Sequence, residues 1–244
     1  MKKTLILCGL VLAVAAPPAM AAGLNLNWND CVTAGLVTNA AFACNVNTGL
    51  NTMIGSFVSP AHIDSMCASE YVLTLQSAGP TLSPWWDFTN CRPTSLSRDF
   101  SFTAGPFDCV DHWGGNVAIS GLSYTPGASG PNRARIDMLA AVGSDFCTGP
   151  SQTGIDTGVE YYAFKLTVTR AKTTGTGLCA GCLEPVCVVL NEMKLYSPAR
   201  GTSDVVLSLT SPDVQNYVTW QGGPSPCLVP VLRRTWGQVK TLYR

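Results

Sequence analysis

The stretch Glu160-Tyr-Tyr-Ala-Phe-Lys-Leu-Thr-Val-Thr-Arg170 decides the fold class of this chain. Apolar residues recur at every second position, and the face that they form comprises Tyr162, Phe164, Leu166 and Val168. Lysine and threonine take the other face. A period of two is that of a β-strand with one buried face. The stretch therefore predicts a half-buried antiparallel strand.

The same alternation recurs along the rest of the chain. It predicts strands at residues 24–29, 54–59, 71–76, 116–124, 135–142, 187–196, 205–210 and 216–220. The 23 glycines and 16 prolines are concentrated between these stretches, where they indicate turns. Many short strands with turns at about ten-residue spacing predict an all-β fold. We expect an antiparallel β-sandwich, jelly-roll or immunoglobulin-like, with at most one or two short helices.

The predicted strand 187–196 changes phase in its middle. Its apolar residues stand at even positions up to Leu190 and at odd positions from Met193 onward. One face of a strand stays buried through such a change only if an extra residue is inserted. We therefore predict a β-bulge at Asn191 and Glu192.

Signals for a helix are scarce. Ser59 is a favourable N-cap residue, and Pro60 suits the first position of a helix. The sequence therefore predicts one short helix over residues 61–68.

Residues 1–21 have the pattern of a secretory signal peptide. Lys2 and Lys3 precede an apolar run, 5–16, and Ala19-Met-Ala21 fits the small-residue cleavage site. An apolar run of about 12 residues, followed by Pro17, is too short to cross a membrane. The sequence therefore predicts a secreted protein, extracellular or periplasmic, with no transmembrane segment.

The number of cysteines agrees with a location outside the cytoplasm. Of the 11 cysteines, Cys8 lies in the signal peptide, and the rest form an even set that is typical of a disulfide framework. The set is Cys31, Cys44, Cys67, Cys91, Cys109, Cys147, Cys179, Cys182, Cys187 and Cys227. A loop of about 15 residues closes readily and contributes about 3 kcal/mol when cross-linked. We therefore expect the pairs Cys31–Cys44 and Cys91–Cys109 and leave the others open.

The densest cysteine cluster, Cys179-Ala-Gly-Cys182 with Cys187 beyond it, allows three interpretations. These are structural disulfides, a redox pair and part of a zinc site. A zinc site needs further ligands, and the two histidines, His62 and His112, are distant in sequence. A redox motif needs a strand-to-helix setting, whereas Pro185 indicates a loop that enters a strand. Structural disulfides are favoured, and no metal site is predicted.

The charge balance excludes one class of function. Lys and Arg number 15, as do Asp and Glu, and only 12% of residues are charged, against about 25% in an average domain. A chain without a basic field does not bind nucleic acid through overall electrostatic attraction. Hydrophobic residues, at 46%, are sufficient for a sizeable core, which excludes disorder as the dominant state.

We expect a single β-sandwich domain over residues 22–222. The Pro- and Gly-rich stretch that follows leads into a basic segment, 232–244, with three arginines, one lysine and no acidic residue. We expect residues 223–244 to pack on the domain, pinned by Cys227, because a free tail gains little from a cysteine at its root. The alternative is a free sorting or docking tail.

The best catalytic candidates are Asp108, Asp111 and His112, two carboxylates and a histidine within five residues. A histidine oriented by a carboxylate serves as a general base or binds a metal, as in an extracellular hydrolase. The competing interpretation is a polar turn braced by Cys109.

Other motifs carry less information. His62 and Asp64 would lie in the exposed first turn of the predicted helix, where an acid suits the helix dipole. The chain has no nucleophile elbow, P-loop, Rossmann fingerprint, zinc-protease motif or EF-hand loop. The asparagine-rich stretches 25–30 and 45–51 have too few carboxylates for calcium. We predict no cofactor, and the sequence leans against an enzyme.

The adjacent Trp85 and Trp86 suggest a carbohydrate site. Consecutive side chains of an extended segment point to opposite faces, so one indole is expected to be exposed. An exposed indole can stack on a sugar ring, and Asp87 can hydrogen-bond to hydroxyl groups. In the alternative interpretation, the indoles cover an edge of the core and meet no ligand.

Four segments of the chain resemble a group of exported bacterial proteins to which no activity is attached. They are residues 24–31, 130–135, the cluster at 179–182 and residues 235–244. The resemblance implies export and a coherent fold over most of the chain, and it brings no catalytic residues.

The function favoured by these observations is that of a structural or binding module of a bacterial cell exterior. Its partner is a glycan or another cell-surface component of unknown identity. The second hypothesis is a carbohydrate-binding module that uses Trp85, Trp86 and Asp87, and the third is a hydrolase that uses Asp108, Asp111 and His112.

Overall fold

The computed structural model describes residues 22–102, 107–113, 115–143, 154–197, 204–208, 215–223 and 227. The strands in these ranges are β1 Gly23–Trp28, β2 Asn39–Ala40, β3 Leu50–Val58, β4 Ala68–Ser77, β5 Leu96–Asp99, β6 Val117–Pro126, β7 Arg133–Val142, β8 Glu160–Thr169, β9 Val186–Tyr196, β10 Val205–Ser208 and β11 Tyr217–Trp220. Two short 3-10 helices, Val32–Ala34 and Pro84–Trp86, complete the regular structure there. The predicted all-β fold is confirmed, and each predicted strand overlaps an observed one.

The strands form the two sheets of a β-sandwich. The smaller sheet has the order β1-β3-β8-β5, and the larger has the order β2-β11-β9-β4-β7-β6. Strand β10 pairs with the part of β9 that lies beyond β11. All of these pairings are antiparallel except that between β2 and β11.

The hydrophobic core consists of the alternate side chains that point inward from both sheets. The larger sheet contributes Tyr71, Leu73, Leu75, Ile136, Met138, Val188, Leu190 and Met193, and the smaller contributes Leu24, Leu26, Trp28, Met53, Phe57, Phe164, Leu166 and Val168. The outward side chains of β4 and β7 are part-buried or exposed. The larger sheet therefore presents an open outer face.

The predicted bulge in β9 is confirmed. Val72 of β4 lies opposite Glu192, and the next residue, Leu73, lies opposite Leu190, so Asn191 is the extra residue. The insertion keeps the inward positions apolar on both sides of the phase change. It also points Glu192 to the outer face of the larger sheet.

A second bulge, in β8, was not predicted. Gly55 of β3 lies opposite Phe164, and Ser56 lies opposite Tyr162, so Ala163 is the extra residue. Tyr162 consequently packs with Ile54 on the outer face of the smaller sheet, outside the main core. The prediction that Tyr162 shares a face with Phe164 was wrong, because an apolar inserted residue leaves no mark in the sequence pattern.

The predicted helix over residues 61–68 was also wrong. Ile63 forms a β-bridge with Ile155, in which the N–H of each residue donates to the carbonyl of the other at 3.0 and 2.8 Å. Strand β4 already begins at Ala68. A distant segment thus satisfies the backbone groups that a helix would have paired locally.

The disulfide prediction was right in kind and wrong in pairing. The structure contains Cys31–Cys109, Cys44–Cys182, Cys91–Cys179 and Cys187–Cys227, and Cys67 is disulfide-bonded as well. The expected pairs Cys31–Cys44 and Cys91–Cys109 do not form. The expected pairs were chosen because short loops close easily in the unfolded chain. In the folded sandwich, strand pairing instead brings together cysteines that are 40 to 138 residues apart. Such cross-links are typical of compartments outside the reducing cytoplasm.

The cluster at Cys179 and Cys182 makes a direct prediction for peptide mapping. Its two cysteines belong to different disulfides, with Cys91 and Cys44. A non-reduced digest cut between residues 179 and 182 is therefore expected to release two separate cross-linked peptide pairs on mass spectrometry. A peptide with an internal 179–182 disulfide, or with free thiols there, would contradict the structure.

Three predictions fall on residues outside those described. They are the signal peptide at 1–21, the pairing of Cys147 and, apart from Gly223 and Cys227, the packing of residues 223–244 on the domain. Among the described residues, no helix has the length and hydrophobicity needed to span a bilayer.

Candidate functional site

The predicted catalytic histidine is buried and isolated from the two aspartates. His112 is 3% exposed, and its ring lies 4.5 Å from that of Trp113 and 5.4 Å from that of Phe57, between ring centroids. Neither ring nitrogen bonds to a described side chain, and the polar contact of the imidazole is with the main chain of Tyr162. Burial lowers the pKa of His112 to about 3. A neutral imidazole without a carboxylate partner is a core residue.

The two aspartates serve backbone turns. Asp111 accepts hydrogen bonds from the N–H groups of Trp113 and Gly115, each at 2.9 Å. Asp108 is exposed, and its N–H donates to a carboxylate oxygen of Asp30 at 2.9 Å. The structure thus does not bring Asp108 and Asp111 together with His112, and the polar-turn interpretation fits the geometry.

Both indoles of the predicted carbohydrate site are buried. Trp85 is 0% and Trp86 is 1% exposed, because the segment forms a 3-10 helix that points both rings inward. Their centroids lie 4.9 and 5.2 Å from that of Trp220. Asp87 accepts hydrogen bonds from Thr89 and Asn90, which closes the turn. The prediction that one of the two indoles is exposed was wrong. Neither ring is therefore available to stack on a sugar.

A buried arginine holds the aromatic cluster in place. Arg92 is 1% exposed, and its Cζ lies 3.5 Å from the centroid of the Trp85 ring. Its guanidinium donates to the carbonyls of Trp85 at 2.6 Å, Ala171 at 3.0 Å and Thr169. Burial lowers the pKa of Arg92 to about 10, so the group is still charged at neutral pH. The contacts of Arg92 are structural.

His62 forms an exposed cluster that the predicted helix does not explain. Its Nδ1 lies 2.9 Å from a carboxylate oxygen of Asp156, and its Nε2 lies 3.2 Å from one of Asp64. All three side chains are more than half exposed, and ion pairs of this kind contribute little to stability. Among the described residues, no group of three or more metal-ligating side chains has the geometry of a metal site.

Glu160 is a buried carboxylate whose hydrogen bonds are all to groups of the same chain. It accepts hydrogen bonds from the Thr33 N–H at 2.8 Å, the Val32 N–H at 3.1 Å, the Asn25 side chain at 3.2 Å and the Ser56 hydroxyl. At 3% exposure, it anchors the 3-10 helix Val32–Ala34 to the smaller sheet and offers no face to a substrate.

The structure does contain a groove that sequence analysis missed. It has a volume of about 450 Å³ and crosses the outer face of the larger sheet, over β9, β4, β7 and β6. We call it the acidic groove and define it by Glu70, Val72, Arg135, Asp137, Leu139 and Glu192. Gly121 contributes to the space, because a Cβ there would lie 3.3 Å from Leu139.

Three carboxylates surround Val72 in this groove. Asp137 and Glu192 lie directly opposite Val72 on the two neighbouring strands, so their Cα atoms are about 10 Å apart. Glu70 lies two residues along β4 on the same face. Arg135 is the one basic residue of the groove, and its Nε lies 2.7 Å from Asp137. The groove therefore has a formal charge of −2.

The charges of the groove are not fully compensated. Glu192 is exposed and has no hydrogen bond or ion pair within the described part of the chain. Lys194 lies opposite Glu70 at the edge of the groove, but it pairs with Asp204 at 3.1 Å and lies 4.4 Å from the ring of Tyr196. The hydroxyl of Tyr196 donates a hydrogen bond to Glu70. A cation that approaches Glu192 therefore displaces no described side chain from its carboxylate.

Exposed apolar side chains flank the acidic groove. Leu139 is 44%, Ile119 64% and Val206 52% exposed. The strand register places all three on the outer face, since Ile119 lies opposite Ala141 and Val206 opposite Lys194. Apolar side chains gathered on one face and rimmed by charges are typical of an interaction surface.

The acidic groove could not be read from the sequence. Its residues stand at outward positions of predicted strands, so their exposure follows from the alternation. Their proximity depends on the order β9-β4-β7-β6 and on the β9 bulge, which places Glu192 beside Val72.

Comparison with family models gives no match for this chain, and neither does comparison with curated proteins. Among solved structures, the chain is similar to a cohesin module from the family 33 glycoside hydrolase of Clostridium perfringens ATCC13124. The identity is 8% and the TM-score is 0.29, over 77% of this chain and 97% of that one. A similarity at this level carries no argument about function, and the fold rests on the sheets described above.

Proposed function

We propose that this chain is a secreted binding module that takes up a protein partner through the acidic groove on the outer face of its larger sheet. The observation that carries the proposal is the combination, on that face, of a groove, exposed aliphatic side chains and an excess of carboxylates over basic side chains in the groove lining. The predicted signal peptide and the disulfides agree with a place of action outside the cytoplasm.

The chemistry of the groove favours a cationic peptide as the bound group. Its outward side chains are aliphatic at Val72 and Leu139 and acidic at Glu70, Asp137 and Glu192. The side chain of Tyr71 points into the core, so its ring offers no stacking surface for a sugar. Carboxylates on three neighbouring strands suit Lys and Arg side chains, which form charge-assisted hydrogen bonds with them.

Selection from a displayed random peptide library tests the proposed function. The protein is expected to enrich sequences with closely spaced Lys or Arg, because the groove has a formal charge of −2. Reversing two charges, in Glu70→Lys/Glu192→Lys, is expected to weaken the selected peptides at least tenfold, as measured by fluorescence anisotropy.

The matched control is Asp64→Lys/Asp156→Lys, two charge reversals at side chains that are 91% and 68% exposed and lie outside the groove. It is expected to leave peptide affinity within twofold of the wild type. Equal loss in the control and the groove variant would assign the binding to net charge alone and overturn the proposed site.

A further inference from the structure

We infer that the acidic groove binds the basic segment 232–244 of the same chain, which competes with the external partner. This inference rests on the proposed function, because it concerns the occupant of the same groove. The segment carries Arg233, Arg234, Lys240 and Arg244 and no acidic residue, a formal charge of +4. The segment is therefore a cationic peptide, which is the kind of ligand proposed for the groove.

The position of Cys227 brings this segment to the correct face. Cys227 is disulfide-bonded to Cys187 and packs with Val189 and Tyr217. Cys187 lies opposite Gln76 of β4, and Gln76 is an outward residue. The disulfide therefore fixes residue 227 on the outer face of the larger sheet, the face that carries the groove.

The distances permit the contact. Cys187 and Glu192 lie opposite Gln76 and Val72, which are four residues apart on β4, roughly 13 Å at the rise of a strand. Arg233 follows Cys227 by six residues, which span up to about 20 Å when extended. A basic side chain that starts at the disulfide therefore reaches Glu192 along the sheet surface.

Tethering favours the segment over a free partner. A ligand joined to its site by a short linker has an effective concentration in the millimolar range. A partner must displace the segment, so its apparent affinity is reduced as long as the segment is basic. Neutralising the segment is expected to expose the groove.

Zero-length cross-linking of the full chain tests this contact. A carbodiimide joins amines to carboxylates, and Lys240 is the one lysine of the segment. Mass spectrometry is expected to find Lys240 joined to Glu70, Asp137 or Glu192. The pair Lys165–Asp99, with its ion pair at 3.2 Å, is the internal standard for yield.

The matched variant is Glu70→Gln/Glu192→Gln, which removes two charges and retains side-chain size. The yield of the Lys240–Asp137 cross-link, whose carboxylate the variant retains, is expected to fall at least fivefold, and Lys165–Asp99 is expected to stay constant. An absence of these cross-links from the wild type, or an unchanged yield in the variant, would overturn the inference. So would cross-links between heavy- and light-isotope chains in a mixed sample, since the segment would then come from a second copy.

A second readout separates this inference from the proposed function. The selected peptides are measured against the wild type and against Arg233→Gln/Arg234→Gln/Lys240→Gln. We expect about tenfold tighter binding to the neutralised variant. Equal affinity for both chains would overturn the inference and leave the proposed function standing, whereas no enriched peptide on either chain would overturn the proposed function.

Discussion

Arg92→Met is expected to lower the free energy of unfolding by about 3 to 5 kcal/mol, because three carbonyls lose a charged donor and a hydrogen bond to a charged group contributes about 1.5 to 3 kcal/mol. The methionine fills much of the same volume but donates no hydrogen bond. The carbonyls of Trp85, Thr169 and Ala171 would lose their donor, and the Trp85 ring would lose its cation. The carbonyl of Trp85 is buried, and leaving it unpaired costs about 1 to 3 kcal/mol, whereas those of Thr169 and Ala171 are part-buried.

Urea denaturation under non-reducing conditions measures this loss. The matched control is Arg98→Met on β5, where an exposed guanidinium donates to the carbonyl of Ser120 at 3.0 Å. It is expected to cost less than about 1 kcal/mol, because water replaces an exposed partner. Equal losses in the two variants would show that the Arg92 cluster does not stabilise the core as its contacts indicate.

His112 is expected to make the protein sensitive to acid. Its pKa is about 3 in the folded state and about 6.5 when unfolded, so the unfolded chain binds more protons between these values. The stability that neutral His112 provides is complete above pH 6.5 and is lost progressively as the pH falls toward 3. At pH 4 the loss is on the order of 3 kcal/mol, since one pKa unit corresponds to about 1.4 kcal/mol.

The variant His112→Phe isolates this contribution from that of the carboxylates. A phenyl ring fits among Phe57, Trp113 and Tyr161, and its one cost in hydrogen bonding among the described residues is the contact of the imidazole with the main chain of Tyr162. Unfolding free energies of the two proteins are expected to be similar at pH 7 and to differ by about 3 kcal/mol, in favour of the variant, at pH 4. Parallel pH profiles would show that His112 is accessible to protons in the folded state.

The strands illustrate what local pattern predicts. The run at 160–170 forms a strand because alternating apolar residues can bury one face only in that conformation, and the same rule located β9 and its bulge at Asn191. The short strands β2 and β5 were not predicted, because Asn39–Ala40 and Leu96–Asp99 contain no alternation of apolar and polar residues. Tyr162 was assigned to the wrong face, because the inserted residue, Ala163, leaves the alternation of apolar residues in the sequence unbroken.

The candidate sites show the limit of sequence analysis. Trp85, Trp86 and His112 carry the right groups for binding or catalysis, and the structure uses all three as core. Which role such a residue plays depends on the elements that pack over it.

The sequence by itself determined the all-β class, the places of the strands and the use of cysteines for disulfides, because each depends on residues close together in the chain. Only the tertiary structure decided which cysteines pair, which indoles are buried and that Glu70, Asp137 and Glu192 share one groove. The physical reason is that these features depend on strand order and register, which join residues far apart in sequence.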